Sequence, residues 1–367
     1  MSSLHDLYSH YGQSPWLDNL RREWINSGEL ARWVERGVRG LTSNPSIFQK
    51  AMTSGSEYDE QFAELLADGL SVPESYWELV LTDIGGALDV LAPVYDSSNG
   101  LDGFVSVEVD PKLARDTDGT LAAARVLHQR VDRPNLYVKI PGTAEGLPAI
   151  EAMTAEGRSI NVTLLFSLSR YAEVIEAYLR GLEACPGDLS SVSGVASFFI
   201  SRTDTEADRR LEAIGTPEAL ALRGQTAVAQ GQVAYKLFTE KFTGPRWDAL
   251  EARGARVQRP LWASTSTKNP AYPDTLYVDQ LIGPHTVNTL PDATLEAFTD
   301  HGTLSRTVDA DPDAAQSILD RVTEAGVDLE AVADRLEDEG VSAFVKSFDD
   351  LLDSLSTTAD RLMEGAL

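Results

Sequence analysis

The stretch Leu136-Tyr137-Val138-Lys139-Ile140 sets Leu136, Val138 and Ile140 on one parity and Tyr137 and Lys139 on the other. Successive side chains of a strand point to opposite faces, so an apolar face here is backed by one that carries a lysine. The neighbouring segments repeat the pattern. In 103–109, Val105, Val107 and Val109 oppose Ser106 and Glu108; in 159–165, Ile160, Val162 and Leu164 oppose Ser159, Asn161 and Thr163. Apolar faces of this kind pack on helices, which turns the polar faces toward a common interior.

Outward from this core, short β-prone segments alternate with longer helical patterns. Candidate strands occupy residues 15–18, 38–44, 103–109, 136–140, 159–165, 191–198, 260–264 and 285–290. Candidate helices occupy 58–67, 74–91, 120–131, 147–155, 169–182, 217–242 and 292–300, with Ser167 as a cap ahead of one of them. From Asp313 onward helical spacing returns through Leu329, Val332, Leu336, Phe344, Phe348, Leu351, Leu352 and Leu355, a segment expected to cover the outside or one end of the fold. Eight such units favour an α/β fold, a (β/α)8 TIM barrel with additional helices including a C-terminal helical segment. An open doubly wound sheet ranks second, because no glycine fingerprint follows the first strand. Neither a linker nor a repeat divides the chain, so residues 1–367 read as one barrel domain with a C-terminal helical extension.

Composition narrows the function classes. Thirty-one Lys plus Arg against 57 Asp plus Glu leave a formal charge of -26, which argues against nucleic acid and anionic membranes as partners, since both need a basic face. Cys185 is the only cysteine, and the five histidines fall in no ligand spacing, so neither a disulfide framework nor a metal site is expected. No apolar run is long enough for a membrane helix and residues 1–6 carry no basic leader, so a cytoplasmic setting is expected.

Barrel interiors are usually filled with branched apolar side chains, which makes an inward Glu108, Lys139, Asn161 and Thr163 unusual. Asp18, Asn44 and Ser197, near the C-terminal ends of three further strands, join the set at the end where barrel enzymes build their sites. Lys139 is one of only seven lysines and the only one inside an apolar strand pattern. Removal from water disfavours an ammonium, and the neutral amine can attack a ketone to form an iminium. The competing reading is an internal ion pair with Glu108 that merely satisfies two charges; functionally, Glu108 would shuttle protons. Asp18 is either a helix cap for 19–24 or a base for a substrate hydroxyl, and Asn44 before Pro45 alone reads as a cap or turn residue. Arg202 and Lys268, after the sixth and seventh strands, are candidate phosphate contacts or ordinary surface ion pairs.

Four segments in this order, Leu41-Thr-Ser-Asn-Pro-Ser-Ile-Phe48, Val105-Ser-Val-Glu-Val-Asp110, Tyr137-Val-Lys-Ile-Pro141 and Asn161-Val-Thr-Leu-Leu-Phe-Ser167, resemble the transaldolase family over essentially the whole chain. Leu261-Trp-Ala-Ser-Thr-Ser-Thr-Lys-Asn-Pro270 and Thr286-Val-Asn-Thr289 are similar to its longer bacterial form. The resemblance implies transfer of a dihydroxyacetone unit from sedoheptulose 7-phosphate to glyceraldehyde 3-phosphate, with no metal or organic cofactor. It implies Lys139 as the Schiff-base lysine, Glu108 as the proton shuttle, Thr163 as the residue placing the catalytic water and Asp18 as the base at the C4 hydroxyl. Asn44, Asn161 and Ser197 would bind the dihydroxyacetone hydroxyls and Arg202 a phosphate. Shorter relatives carry an arginine in the loop after the seventh strand, whereas here Ser264-Thr-Ser-Thr-Lys268 stands there, so Lys268 is assigned the second phosphate contact with Ser264 beside it. Phe199 stands where fructose 6-phosphate aldolases tend to have tyrosine, which favours transfer over release. The expected partners are phosphorylated ketose and aldose substrates, with a homodimer left open; a plain aldolase and a non-catalytic sugar-phosphate-binding barrel are the alternatives.

Overall fold

A computed structural model describes residues 3–365; Met1 and Ser2, part of the leader reading, lie outside them. Eight parallel strands close into a barrel in chain order. They are β1 (Gln13–Leu17), β2 (Gly40–Thr42), β3 (Phe104–Glu108), β4 (Leu136–Pro141), β5 (Ile160–Leu165), β6 (Gly194–Phe199), β7 (Gln258–Ala263) and β8 (Thr286–Leu290). Asp18 and Asn44 therefore sit just past their strands rather than inside them. Val105, Val107, Leu136, Val138, Ile140, Ile160 and Val162 join the helices in one apolar shell, as their parity requires.

The opposite parity fills the interior in levels. At the N-terminal end, Asp102 accepts hydrogen bonds from Ser14, Trp16, Arg39 and Arg259, which stoppers the barrel with a satisfied buried carboxylate. Above it Trp16, Phe104 and Tyr137 stack, the latter two with ring centroids 4.1 Å apart. Polar residues then take over toward the C-terminal mouth. One row of Cα partners runs Glu108, Lys139, Asn161 across β3, β4 and β5.

Leu164 departs from its expected parity. The register of β5 against β6 shifts between Val162 and Leu165, and Leu164 takes φ 60°, the left-handed region. This bulge sends Leu164 into the interior cluster and gives its helix-facing place to Leu165.

Three helical expectations also change. The segment 217–242 is two helices, Pro217–Leu220 and Thr226–Lys241, broken where Gly224 adopts φ 71°. Asp18 caps no helix, since the following one, Arg22–Asn26, begins after Arg21. Helix Ser201–Ile214 was not expected at all, because its buried face includes Asp204, Glu206 and Asp208 rather than an apolar stripe. The C-terminal helix Leu329–Gly365, about 55 Å long by its rise per residue, packs on helices Pro45–Thr53 and Ser201–Ile214 and on β5, which places it across the C-terminal mouth.

Gly40 shows how tightly the interior is filled. A Cβ there would lie 2.4 Å from Cε2 of Trp16, whose indole is wholly buried and bonded to Asp102. Gly40→Ala is expected to lower stability by about 1–3 kcal/mol through overpacking, read as a lower urea midpoint; an unchanged midpoint would contradict this account of the core.

Candidate active site

The C-terminal ends of the strands enclose a cavity of about 600 Å³, open to solvent. Nine of the eleven residues singled out in the sequence line it: Asp18, Asn44, Lys139, Thr163, Ser197, Phe199, Arg202, Ser264 and Lys268. Glu108 and Asn161 do not, and each contacts a residue that does. Glu108 Oε2 accepts from Lys139 Nζ at 3.0 Å, and Asn161 Oδ1 accepts from Ser197 Oγ at 2.7 Å.

Register dictates the first contact. Glu108 and Lys139 are Cα partners on adjacent strands, so two inward side chains of suitable length must meet. Their side chains are only 3% and 6% exposed. Burial pushes the Glu108 carboxyl up from its ordinary value, and the charge and hydrogen bond of Lys139 pull against that shift. Lys139 Nζ also donates to the Ser43 carbonyl at 3.1 Å. Glu108 Oε1 and Thr163 Oγ1 are buried without a hydrogen bond among the described residues.

Asn161 is held at both ends, since its Nδ2 donates to Ser106 Oγ at 3.0 Å. Asn44 fulfils the capping expectation and still faces the cavity: its Oδ1 accepts from Ile47 N at 3.0 Å, opening helix Pro45–Thr53. The bulge beside Thr163 and the positive φ of Ser264 (56°) put two strained residues at the rim, a recurrent feature of sites that over-determine their geometry.

Thr42 and Thr289 were not singled out in the sequence. Thr42 Oγ1 donates to Asp18 Oδ1 at 2.7 Å and lies 2.6 Å from Thr289 Oγ1. One hydroxyl donates once, so Thr289 donates to Thr42 and the chain of protons ends on Asp18. Their position in the inward register of β2 and β8 was the available signal. Ser266 and Phe344 complete the set of missed polar and aromatic lining residues.

Two cations of the lining, Arg202 and Lys268, stand apart from the ion pairs. Arg202 makes no side-chain hydrogen bond or ion pair among the described residues, and its Cζ lies 5.4 Å from the Phe199 ring centroid. Burial pushes its guanidinium below its ordinary value. Lys268 Nζ donates to Ser266 Oγ at 2.7 Å and likewise has no ion pair among the described residues. The surface-ion-pair reading of both residues is therefore set aside. Among those residues no group of three or more His, Cys, Asp or Glu side chains could hold a metal, and no helix is long and apolar enough to cross a membrane.

Burial raises the Asp18 carboxyl above its ordinary 3.8, against the Thr42 hydrogen bond and the charge of Lys139. A raised folded-state value means that ionised Asp18 costs stability at neutral pH and that the cost vanishes below the unfolded value. Asp18→Asn keeps an acceptor for Thr42 and is expected to raise the urea midpoint near neutral pH, with a gain that shrinks as the pH is lowered toward 3.8. A pH-independent gain, or none, would contradict the assignment.

The sequence is similar to those of known proteins. The family described as Transaldolase/Fructose-6-phosphate aldolase matches residues 15–355. A Transaldolase of Thermobifida fusca is 53% identical over 95% of this chain and 96% of its own length. Transaldolases of Parafrankia sp. and Mycolicibacterium smegmatis are 51% and 50% identical over 96% and 95% of the chain, and over 96% and 95% of their own lengths. With a match from the first strand into the last helix, this chain belongs to the transaldolase/fructose-6-phosphate aldolase family.

Proposed function

We infer that this chain is a transaldolase of the pentose phosphate pathway. It moves a dihydroxyacetone unit from sedoheptulose 7-phosphate to glyceraldehyde 3-phosphate and yields erythrose 4-phosphate and fructose 6-phosphate. The observation that carries this reading is a buried lysine, hydrogen-bonded to a buried carboxylate at 3.0 Å, in a cavity that also holds two cations with no ion pair among the described residues. Kinship with proteins named Transaldolase supports it.

In this reading Glu108, its carboxyl already raised by burial, takes the Lys139 ammonium proton across the 3.0 Å contact. The neutral amine attacks the ketose carbonyl, and loss of water leaves an iminium. Glu108 Oε1 and Thr163 Oγ1 handle that water, a role that suits two buried polar atoms with no protein partner. Asp18 takes the C4 hydroxyl proton as the C3–C4 bond breaks, and its electron pair flows to the iminium nitrogen. Proton transfer to Asp18 also removes an ionised carboxylate from a site where burial disfavours it. Asn44, Asn161 and Ser197 hold the hydroxyls of the retained unit. Arg202 and Lys268, with Ser264 beside them and Phe199 under the guanidinium, hold the phosphate.

Residues 1–367 act as one barrel domain, the setting is cytoplasmic, and the reaction calls for no metal or organic cofactor. The alternative is release of free dihydroxyacetone as a fructose 6-phosphate aldolase, an activity that the family's description also names.

Incubation with sedoheptulose 7-phosphate and glyceraldehyde 3-phosphate is expected to give erythrose 4-phosphate and fructose 6-phosphate in equal amounts, with no effect of EDTA. Asp18→Asn is expected to lower kcat by about 10²–10⁴-fold, the usual span for loss of a general base. Free dihydroxyacetone forming as fast as the product aldose would establish the aldolase instead, and full activity of Asp18→Asn would remove Asp18 from the mechanism.

A further inference from the structure

Among the described residues, Phe344 is the one lining residue of the cavity that the C-terminal helix Leu329–Gly365 supplies. Lys139 Nζ lies 6.0 Å from its ring centroid. The side chain is buried and belongs to the interior cluster with Leu164, Phe166 and Phe199. An apolar ring thus stands beside the nitrogen on which the reaction is carried.

Its position is held from several directions. One turn before it, Gly340 packs so closely that a Cβ would lie 2.9 Å from Leu164 Cδ2 and 3.7 Å from Arg202 Nη1. Arg115 bonds Glu337 at 2.6 Å and Asp338 at 2.7 Å on one side of Phe344, and Lys112 bonds Asp349 at 2.7 Å on the other. Ser347 Oγ meets Ser46 Oγ at 2.8 Å, which ties the same turn to the helix that Asn44 caps. Phe348 packs edge-on against Tyr76 at 5.2 Å. So many contacts fix one ring in place over the site.

We propose that Phe344 is a specificity-determining residue that keeps solvent from the enamine on Lys139 and so sets the ratio of transfer to release. This rests on the Schiff-base reading above. After donor cleavage the enamine carbon has two fates. In transfer it forms a bond to the acceptor's aldehyde carbon, and the aldehyde oxygen takes the proton that Asp18 holds. In release it takes a proton from water instead. Either iminium is then hydrolysed by one water, returning the Lys139 amine with a ketose phosphate in the first case and dihydroxyacetone in the second. Both fates share that final hydrolysis, so an apolar wall shifts their ratio through the one step at which they differ: the acceptor reaches the enamine as a bound ligand, whereas the proton of release comes from solvent.

The test measures dihydroxyacetone released per transfer event, with sedoheptulose 7-phosphate as donor and glyceraldehyde 3-phosphate as acceptor. This ratio does not depend on how much of a variant is folded. Phe344→Ala is expected to raise it about tenfold by admitting water, and Phe344→Leu, which keeps an apolar side chain of smaller area, to raise it less. If Phe344→Ala does not fold, an increase in Phe344→Leu decides alone. Transfer and release that fall together, or a ratio equal to that of the unaltered protein, would overturn the proposal and leave Phe344 a packing residue. An unaltered protein that performs no transfer would overturn the underlying reading first, without reference to Phe344.

Discussion

Two opposite charges, Lys139 and Glu108, are taken almost wholly out of water and set 3.0 Å apart on adjacent strands. Such a pair costs several kcal/mol per ion in lost solvation, which attraction repays only where geometry and further hydrogen bonds are good. The barrel meets that condition on one side and withholds it on the other. Ser43 supplies a carbonyl to the ammonium, while Glu108 Oε1 is left without a protein partner. Burial accordingly pushes the Glu108 carboxyl above its ordinary value, against the charge and hydrogen bond of Lys139.

The rest of the interior makes this floor rigid. Stacked rings of Trp16, Phe104 and Tyr137 lie beneath it, and the Asp102 network with Arg39 and Arg259 stoppers the far end. On the other side Lys139 faces the open cavity at the C-terminal mouth, and Glu108 borders a second, smaller cavity beside Tyr76 and Phe348. At the mouth the long C-terminal helix lays Phe344 across the opening, and the strongly acidic character of the chain is locally offset. Glu337, Asp338 and Asp349 of that helix are paired with Arg115 and Lys112, while Arg202 and Lys268 line the cavity with no ion pair among the described residues. A molecule of net charge -26 can in this way present a positive site to a phosphorylated sugar.

Much of this was legible from parity alone. Period-two alternation in three strands is a local property, and it placed Glu108, Lys139 and Asn161 on the inner face before any tertiary information was used. The order of the strands followed from the same repetition, because parallel neighbours need a helix between them. What parity could not carry was its own interruption: one residue in the left-handed region at Leu164 reverses the face of everything after it. Helix Ser201–Ile214 was hidden for a related reason, since Asp204 and Asp208 are buried against Tyr277 and Tyr272 rather than against an apolar core. Thr42, Thr289 and Phe344 became site residues only once the barrel closed, and Phe344 is separated from Lys139 by more than half the chain. A resemblance of motifs supplied roles for individual residues; the register supplies the reason that those residues meet.

The central claim is that Lys139 becomes covalently bound to the ketose. Borohydride reduction in the presence of fructose 6-phosphate, followed by peptide mass analysis, tests it most directly. The account predicts one reduced dihydroxyacetone adduct, on the peptide that contains Lys139, and none in Lys139→Met. Turnover without any adduct, or an adduct on Lys268 in place of Lys139, would contradict it.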